Sequence, residues 1–77
     1  MNKLRRKQIE DINDALAELV GQLETLRDEE QEAFDNMPES LQDSERGEKM
    51  SGAIDSMESA IGSIRDATEC LIEAVEQ

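Results

Sequence analysis

The chain of 77 residues is strongly acidic: 20 Asp and Glu face 8 Lys and Arg, which gives a formal net charge of −12. It has no His and a single Cys, so a disulfide within the chain and the His-containing zinc and di-iron sites are excluded. An acidic body repels DNA, and Phe34 is the only aromatic residue available for stacking on bases, so direct nucleic-acid binding is not expected. A chain this small is marginally stable alone, and we expect the support to come from self-association.

The first residues are basic, because Lys3, Arg5, Arg6 and Lys7 all precede the first acid, Glu10. A nucleic-acid or membrane arm and a solubilising terminus both fit such a run, and the absence of aromatic residues favours the second. Neither the apolar core of a signal peptide nor a run of roughly 18 apolar residues follows. We therefore expect a cytoplasmic protein without a membrane segment.

The first half predicts a helix over about 3–36, with apolar residues spaced alternately by three and four. In a heptad frame that starts with Ile9 at position a, the a and d positions form an apolar seam. Its members are Ile9, Ile12, Leu16, Leu19, Leu23 and Leu26. Ala15, Val20 and Phe34 widen this stripe. Glu30 follows at an a position, so either the seam opens there or a cation such as Arg46 or Lys49 meets it.

Pro38 ends this helix, and a linker over about 37–44 follows. Pro38 is able to open a short turn, and Asp43 or Ser44 is a suitable cap for a second long helix over about 45–76. The a and d positions of that helix are Met50, Ile54, Met57, Ile61, Ile64, Leu71 and Val75. Thr68 takes one a position, where we expect a polar interruption whose hydroxyl bonds back to its own helix.

Alanine recurs at the g position of the second helix, next to the seam, at Ala53, Ala60, Ala67 and Ala74. Simple two-helix coiled coils place charge at this position, so a column of methyl groups indicates close packing against more than one neighbour. The short linker makes the helices antiparallel. The predicted fold is all-α: one domain over 1–77, a coiled-coil-like antiparallel helical hairpin that dimerises into a four-helix bundle or forms a higher oligomer. The alternative is a monomeric hairpin whose alanines are only good helix formers.

The sequence offers little chemistry for catalysis. No nucleophile has a partner base, and neither a glycine-rich phosphate loop nor a calcium loop occurs, so we expect no enzyme, no cofactor and no metal. Cys70 is expected to be a small, partly buried side chain. Arg46 and Lys49 lie at a helix start, where a small anion could bind between subunits, although three acids crowd the same turn.

Two surfaces are candidates for a protein partner. One is the acidic face of the first helix, which carries Asp28, Glu29 and Glu32. The other is the tip of the hairpin, with Asp35, Asn36, Glu39 and Arg46. We expect Met37 and Leu41 to fold over the end of the bundle and hold the tip in place.

The segment EEQEAFDNMPESLQDSERGEKM, residues 29–50, resembles a linker in small uncharacterised helical proteins of bacteriophages and related mobile elements. The resemblance rests on residues 34–42 and 44–48 and implies a context only, that of a phage or prophage accessory protein. Two functions then stand as hypotheses: a self-associating module that binds a host or phage protein, and an acidic inhibitor that imitates the phosphates of nucleic acid. A third is a binder of a small anionic ligand between subunits.

Overall fold

The computed structural model describes all 77 residues and contains three helices, α1 (Lys3–Asp35), α2 (Glu39–Gln42) and α3 (Glu45–Glu76). The two long helices run antiparallel along each other in a rod of 58 × 15 × 12 Å. The predicted all-α helical hairpin is confirmed. Its pairing with a second copy stays a prediction.

Both ends of α1 have local causes. The Asn2 side chain caps the first turn, where its Oδ1 accepts a hydrogen bond from the Arg5 amide at 2.8 Å. The helix ends at Asp35, and Pro38 follows three residues later. A proline disfavours the helical conformation for the residue before it, so Met37 cannot extend α1.

Pro38 opens the short helix α2, and the side chain of Gln42 at its end closes the turn onto α1. The Gln42 Nε2 donates to the carbonyl oxygens of Phe34 at 3.0 Å and Met37 at 3.2 Å. Carbonyls at the end of a helix lack partners within it. Gln42 therefore adds a second donor to the Phe34 carbonyl, which also accepts from the Met37 amide at 3.1 Å, and supplies a donor to the Met37 carbonyl just beyond α1. Ser44, rather than Asp43, caps α3, and its Oγ accepts from the Gly47 amide at 3.3 Å.

Gly47 allows α3 to start directly against α2. It is buried, and a Cβ atom on it would lie 2.0 Å from the Gln42 carbonyl oxygen and 2.6 Å from that of Leu41. Both atoms are backbone, so neither can rotate away as a side chain would. Any residue larger than glycine would push α2 and α3 apart.

The core of the hairpin is small. Val20, Ile54 and Ile61 are its only buried apolar residues. On α3 the a and d positions face α1 as expected, and every apolar member of that seam is at least half-buried. Of the residues predicted to widen the stripe of α1, Val20 and Phe34 turn inward, whereas Ala15 is exposed.

On α1 the seam within the chain uses positions a and e, not a and d. Ile9, Leu16 and Leu23 at position a are half-buried, whereas Ile12, Leu19 and Leu26 at position d are 54%, 51% and 54% exposed. The expectation that Leu19 lies at the centre of the seam is therefore wrong for the single hairpin. A single neighbouring helix covers only two adjacent columns of the three that are apolar here.

A polar layer interrupts the seam near the open end of the hairpin. The Asn13 Nδ2 donates to the Thr68 carbonyl oxygen at 3.4 Å, while the Asn13 Oδ1 is buried without a hydrogen-bond partner. The Thr68 hydroxyl donates to the Arg65 carbonyl oxygen at 2.7 Å, as predicted from its place in the heptad. One turn closer to the linker, Arg65 forms an ion pair with Glu24.

Candidate interaction surfaces

One long side of the hairpin carries exposed apolar side chains from both helices. We call it the apolar face and define it by Ile12, Leu19 and Leu26 of α1 and Ala53, Ala60 and Ala67 of α3. All six residues are exposed. Ala74 continues the alanine column and is half-buried. Large side chains on one helix thus lie beside methyl groups on the other.

The two columns share a side because the helices are antiparallel. At about 100° per residue, position d on α1 lies about 80° from the middle of its seam, and position g on α3 lies about 90° from the middle of its own. The opposite flanks are position b on α1 and position e on α3. Glu24 and Arg65 occupy those two positions, and their ion pair marks that flank as the other side of the molecule. The apolar face is therefore continuous across both helices.

The other side contains a polar groove of about 390 Å³. Asn13, whose Oδ1 has no hydrogen-bond partner, lines this groove together with the ion pair of Glu24 and Arg65. Asp14, Ala17, Val20, Thr68 and Ile72 complete the lining. Arg65 is the one cation of this groove and pairs with Glu24, while Asp14 forms no ion pair, so the groove does not present one sign of charge to a ligand.

The predicted tip residues lie at the linker end of the hairpin, and all four are exposed. Asp35 accepts a hydrogen bond from the Gln31 side chain at 2.9 Å, and Asn36 caps the end of α1. Neither Asp35 nor Glu39 forms an ion pair with Arg46. Met37 is half-buried as expected, but Leu41 is 49% exposed and does not cover the core.

Gln42 and Gly47 hold the tip, and the sequence reading missed both. A glycine in the first turn of a helix can indicate that another segment of backbone approaches it closely. Gly47 is such a residue, since it follows the cap of α3, Ser44, by three positions. Nothing in the sequence distinguishes Gln42 from other polar linker residues, because its role depends on where the α1 carbonyls end. The tip therefore has a defined backbone.

The acidic face lies on the outer side of α1. Asp28 contacts Arg27 at 3.1 Å, whereas Glu29 and Glu32 have no ion-pair partner within the chain. Glu30 is half-buried and forms no ion pair, so the alternative in which Arg46 or Lys49 meets it is wrong.

The basic residues are distributed between local pairs and free positions. Lys49 contacts Glu45 at 3.3 Å within the first turns of α3. At the N-terminus, the Lys7 Nζ lies 2.8 Å from Asp11, and this hydrogen bond raises the pKa of the Lys7 ammonium group. Lys3, Arg5 and Arg6 have no ion-pair partner within the chain.

No group of three or more acidic or cysteine side chains is arranged to hold a metal ion. Cys70, expected to be partly buried, is exposed on α3. Neither long helix has a stretch apolar enough to cross a membrane. Comparisons with family models, with curated proteins and with solved structures found no match to this chain.

Proposed function

We propose that the chain is a non-enzymatic, self-associating interaction module, in which two hairpins pack through their apolar faces into a four-helix bundle and present their tips to a protein partner. The observation that carries the proposal is the apolar face itself. Three large aliphatic side chains, about half exposed, lie beside a column of alanines that offers no polar group to water. Contiguous apolar surface of this kind is typical of an interface.

The total surface supports the same proposal. A folded monomer of 8.6 kDa is expected to expose about 4,700 Å². This hairpin exposes 5661 Å², an excess of about 1,000 Å² over that expectation. A standard protein interface removes about 800 Å² from each partner. Pairing of two hairpins would therefore bring the surface of each chain close to that of an ordinary globular protein.

Side-chain size supports close packing between hairpins. Methyl groups at Ala53, Ala60 and Ala67 let a neighbouring helix approach more closely than charged side chains would. The leucines and isoleucine beside them supply the apolar area that drives association, at about 25 cal/mol for each Å² removed from water. On α1, α3 covers positions a and e only. Position d stays exposed and is available to a second hairpin.

The tip supports the second half of the proposal. Gln42, Ser44 and Gly47 fix the linker, so the exposed polar groups at the tip stand on a rigid support, which is where binding residues are commonly found. In a phage or prophage setting the partner would be a host or phage protein. The hypotheses of an acidic nucleic-acid mimic and of an anion binder stay predictions.

Self-association is tested by sedimentation equilibrium on the full chain. The wild type is expected to have twice the mass of 8.6 kDa. Ala60→Glu places a charge on the apolar face and should yield monomers. Ser59→Glu adds the same charge to the neighbouring residue on the outer side of α3, and it should leave the dimer intact. A dimer that persists unchanged in Ala60→Glu would contradict this use of the face.

Partner binding is tested by affinity capture from the native host, followed by quantitative mass spectrometry. Replacement of Asn36, Glu39 and Arg46 by alanine should abolish capture of the partner without loss of helicity. Undiminished capture by a folded triple variant would remove the tip from the proposal. The same experiment on a variant with alanine at Asp28, Glu29 and Glu32 then shows whether the acidic face binds the partner.

A further inference from the structure

Charges without a partner lie at opposite ends of the hairpin. Near the N-terminus, the side chains of Lys3, Arg5 and Arg6 are exposed and form no ion pair within the chain. Near the linker, Glu29 and Glu32 are exposed and equally unpaired. The ends are separated by most of the 58 Å length of the molecule, so the two groups cannot meet within one chain.

One residue of each group borders the apolar face. Arg5 stands seven residues before Ile12 and therefore continues the exposed d column of α1 toward the N-terminus. Glu29 occupies position g of α1, next to the d column, just beyond Leu26. Along α1, the border of the apolar face is thus basic at Arg5 and acidic at Glu29, and this polarity restricts how the α1 helices of two copies can lie on each other.

Leu19 is the middle residue of α1, which spans Lys3–Asp35. Ile12 and Leu26 lie seven residues to either side of it. A two-fold axis that passes Leu19 at right angles to α1 would bring Ile12 of each copy opposite Leu26 of the other. The full length of both apolar faces would then overlap.

The same axis suits α3. Asn13 contacts Thr68, so Leu19, six residues further along α1, lies level with about residue 62 of the antiparallel α3. That level falls between Ala60 and Ala67. The axis would therefore bring Ala60 of each copy within about one helical turn of Ala67 of the other and let the two α3 helices approach closely.

We propose that the second copy lies antiparallel on the apolar face, with the linkers at opposite ends of the four-helix bundle, so that the basic N-terminal residues of each chain meet the acidic 28–35 segment of the other. This inference rests on the proposed function, since it specifies the dimer that the proposed function requires. Arg5 falls level with residue 33 of the other copy, and Glu29 lies four residues from that level, about one helical turn. An Arg side chain is long enough to span that distance.

The other two-fold arrangement places both linkers at the same end. It would lay α1 of each copy over α3 of the other and gather both acidic 28–35 segments at one end of the bundle and both basic N-termini at the far end. Like charges at an interface disfavour association, whereas complementary charges stabilise it and fix the relative orientation. With a net charge of −12 on each chain, the antiparallel arrangement is the one that brings opposite charges together.

The orientation is tested by a distance measurement between spin labels. Ser40 is exposed at the linker and is replaced by Cys for labelling, in a chain whose exposed Cys70 is changed to Ser. The antiparallel bundle is expected to separate the two labels by about 50 Å, close to the length of one helix. A distance of about 20 Å or less in a chain of dimer mass would overturn the inference and leave the proposed function standing. A monomer mass would overturn both.

The charge pairing has its own test. Arg5→Glu and Glu29→Arg should each raise the dissociation constant of the dimer about five-fold, and the double variant should return it to within about two-fold of the wild type. Asp66→Arg matches the charge change of Glu29→Arg on the outer side of α3, and it is expected to lack this coupling to Arg5→Glu. Additive effects of Arg5→Glu and Glu29→Arg would contradict the pairing. Circular dichroism confirms that each exposed variant remains helical.

Discussion

The side-chain amide of Gln42 donates a hydrogen bond to the Phe34 carbonyl oxygen at 3.0 Å, and this contact joins the linker to the last turn of α1. The same nitrogen also reaches the Met37 carbonyl oxygen at 3.2 Å. One side chain therefore satisfies two carbonyls at a helix end. The stability of the turn should depend on it more than on any other polar residue of the linker.

Gln42→Ala is expected to lower the free energy of unfolding by about 1–2 kcal/mol, because the Met37 carbonyl loses its donor and the Phe34 carbonyl keeps only the Met37 amide. Gln31→Ala is the matched control. The Gln31 amide bonds to Asp35 on the exposed surface, where such a contact contributes only a few tenths of a kcal/mol. Chemical denaturation of both variants measures the difference. Equal losses would show that Gln42 is an ordinary surface residue.

The glycines of α3 should respond in opposite ways to the same substitution. Gly47→Ala is expected to destabilise the hairpin by about 1–3 kcal/mol, because the added methyl group overlaps the Gln42 carbonyl. Gly52 has no atom within 4 Å of a Cβ position, so Gly52→Ala should stabilise the chain by up to about 1 kcal/mol through helix propensity. Thermal melting of the two variants compares them. A stabilised Gly47→Ala would mean that α2 does not pack against α3 as described.

Asn13 carries a buried oxygen atom without a hydrogen-bond partner, which destabilises the polar layer. Asn13→Leu has nearly the same shape and removes that group, so the variant should gain about 1 kcal/mol in stability. Asn13→Asp should lose stability at neutral pH, because it places a charge where an unpaired amide oxygen was already unfavourable. Denaturant midpoints provide the measurement. A destabilised Asn13→Leu would indicate that the amide supports the hairpin.

Substitutions at Leu19 and Ile61 should distinguish packing within one hairpin from packing between two hairpins. Ile61 is 2% exposed, and Ile61→Ala is expected to destabilise the hairpin itself by about 2–5 kcal/mol at any concentration. Leu19 is 51% exposed, so Leu19→Ala should act chiefly on dimerisation, and its effect on the melting temperature should depend on protein concentration. Melting curves over a concentration series distinguish them. A concentration-independent loss in Leu19→Ala would place Leu19 in the hairpin core.

The pattern of apolar residues predicted the helices and their seam on α3 well, because spacing along one helix defines its apolar side. It did not show which two of three columns on α1 would face α3. Positions a and d and positions a and e satisfy the same periodicity, and which of them faces α3 depends on how the linker orients the helices. Ile12, Leu19 and Leu26 were therefore predicted in the seam but lie at its outer edge.

The linker was predictable only in part. Proline and a serine cap have strong local preferences, so the short turn and the start of α3 followed from the sequence. The contacts of Gln42 and Gly47 form where the end of α1, the helix α2 and the start of α3 lie against one another. The lack of an ion-pair partner for Glu30 depends on the same arrangement. Such contacts have no signature in residue spacing.

The mass of the wild-type chain in solution tests the central claim most directly. Sedimentation equilibrium across the micromolar range is expected to give a dimer of two 8.6 kDa chains, with dissociation only on dilution. The apolar face would then be buried between copies. A mass of 8.6 kDa at every concentration would contradict the account, since Ile12, Leu19 and Leu26 would remain in water in the working state of the protein.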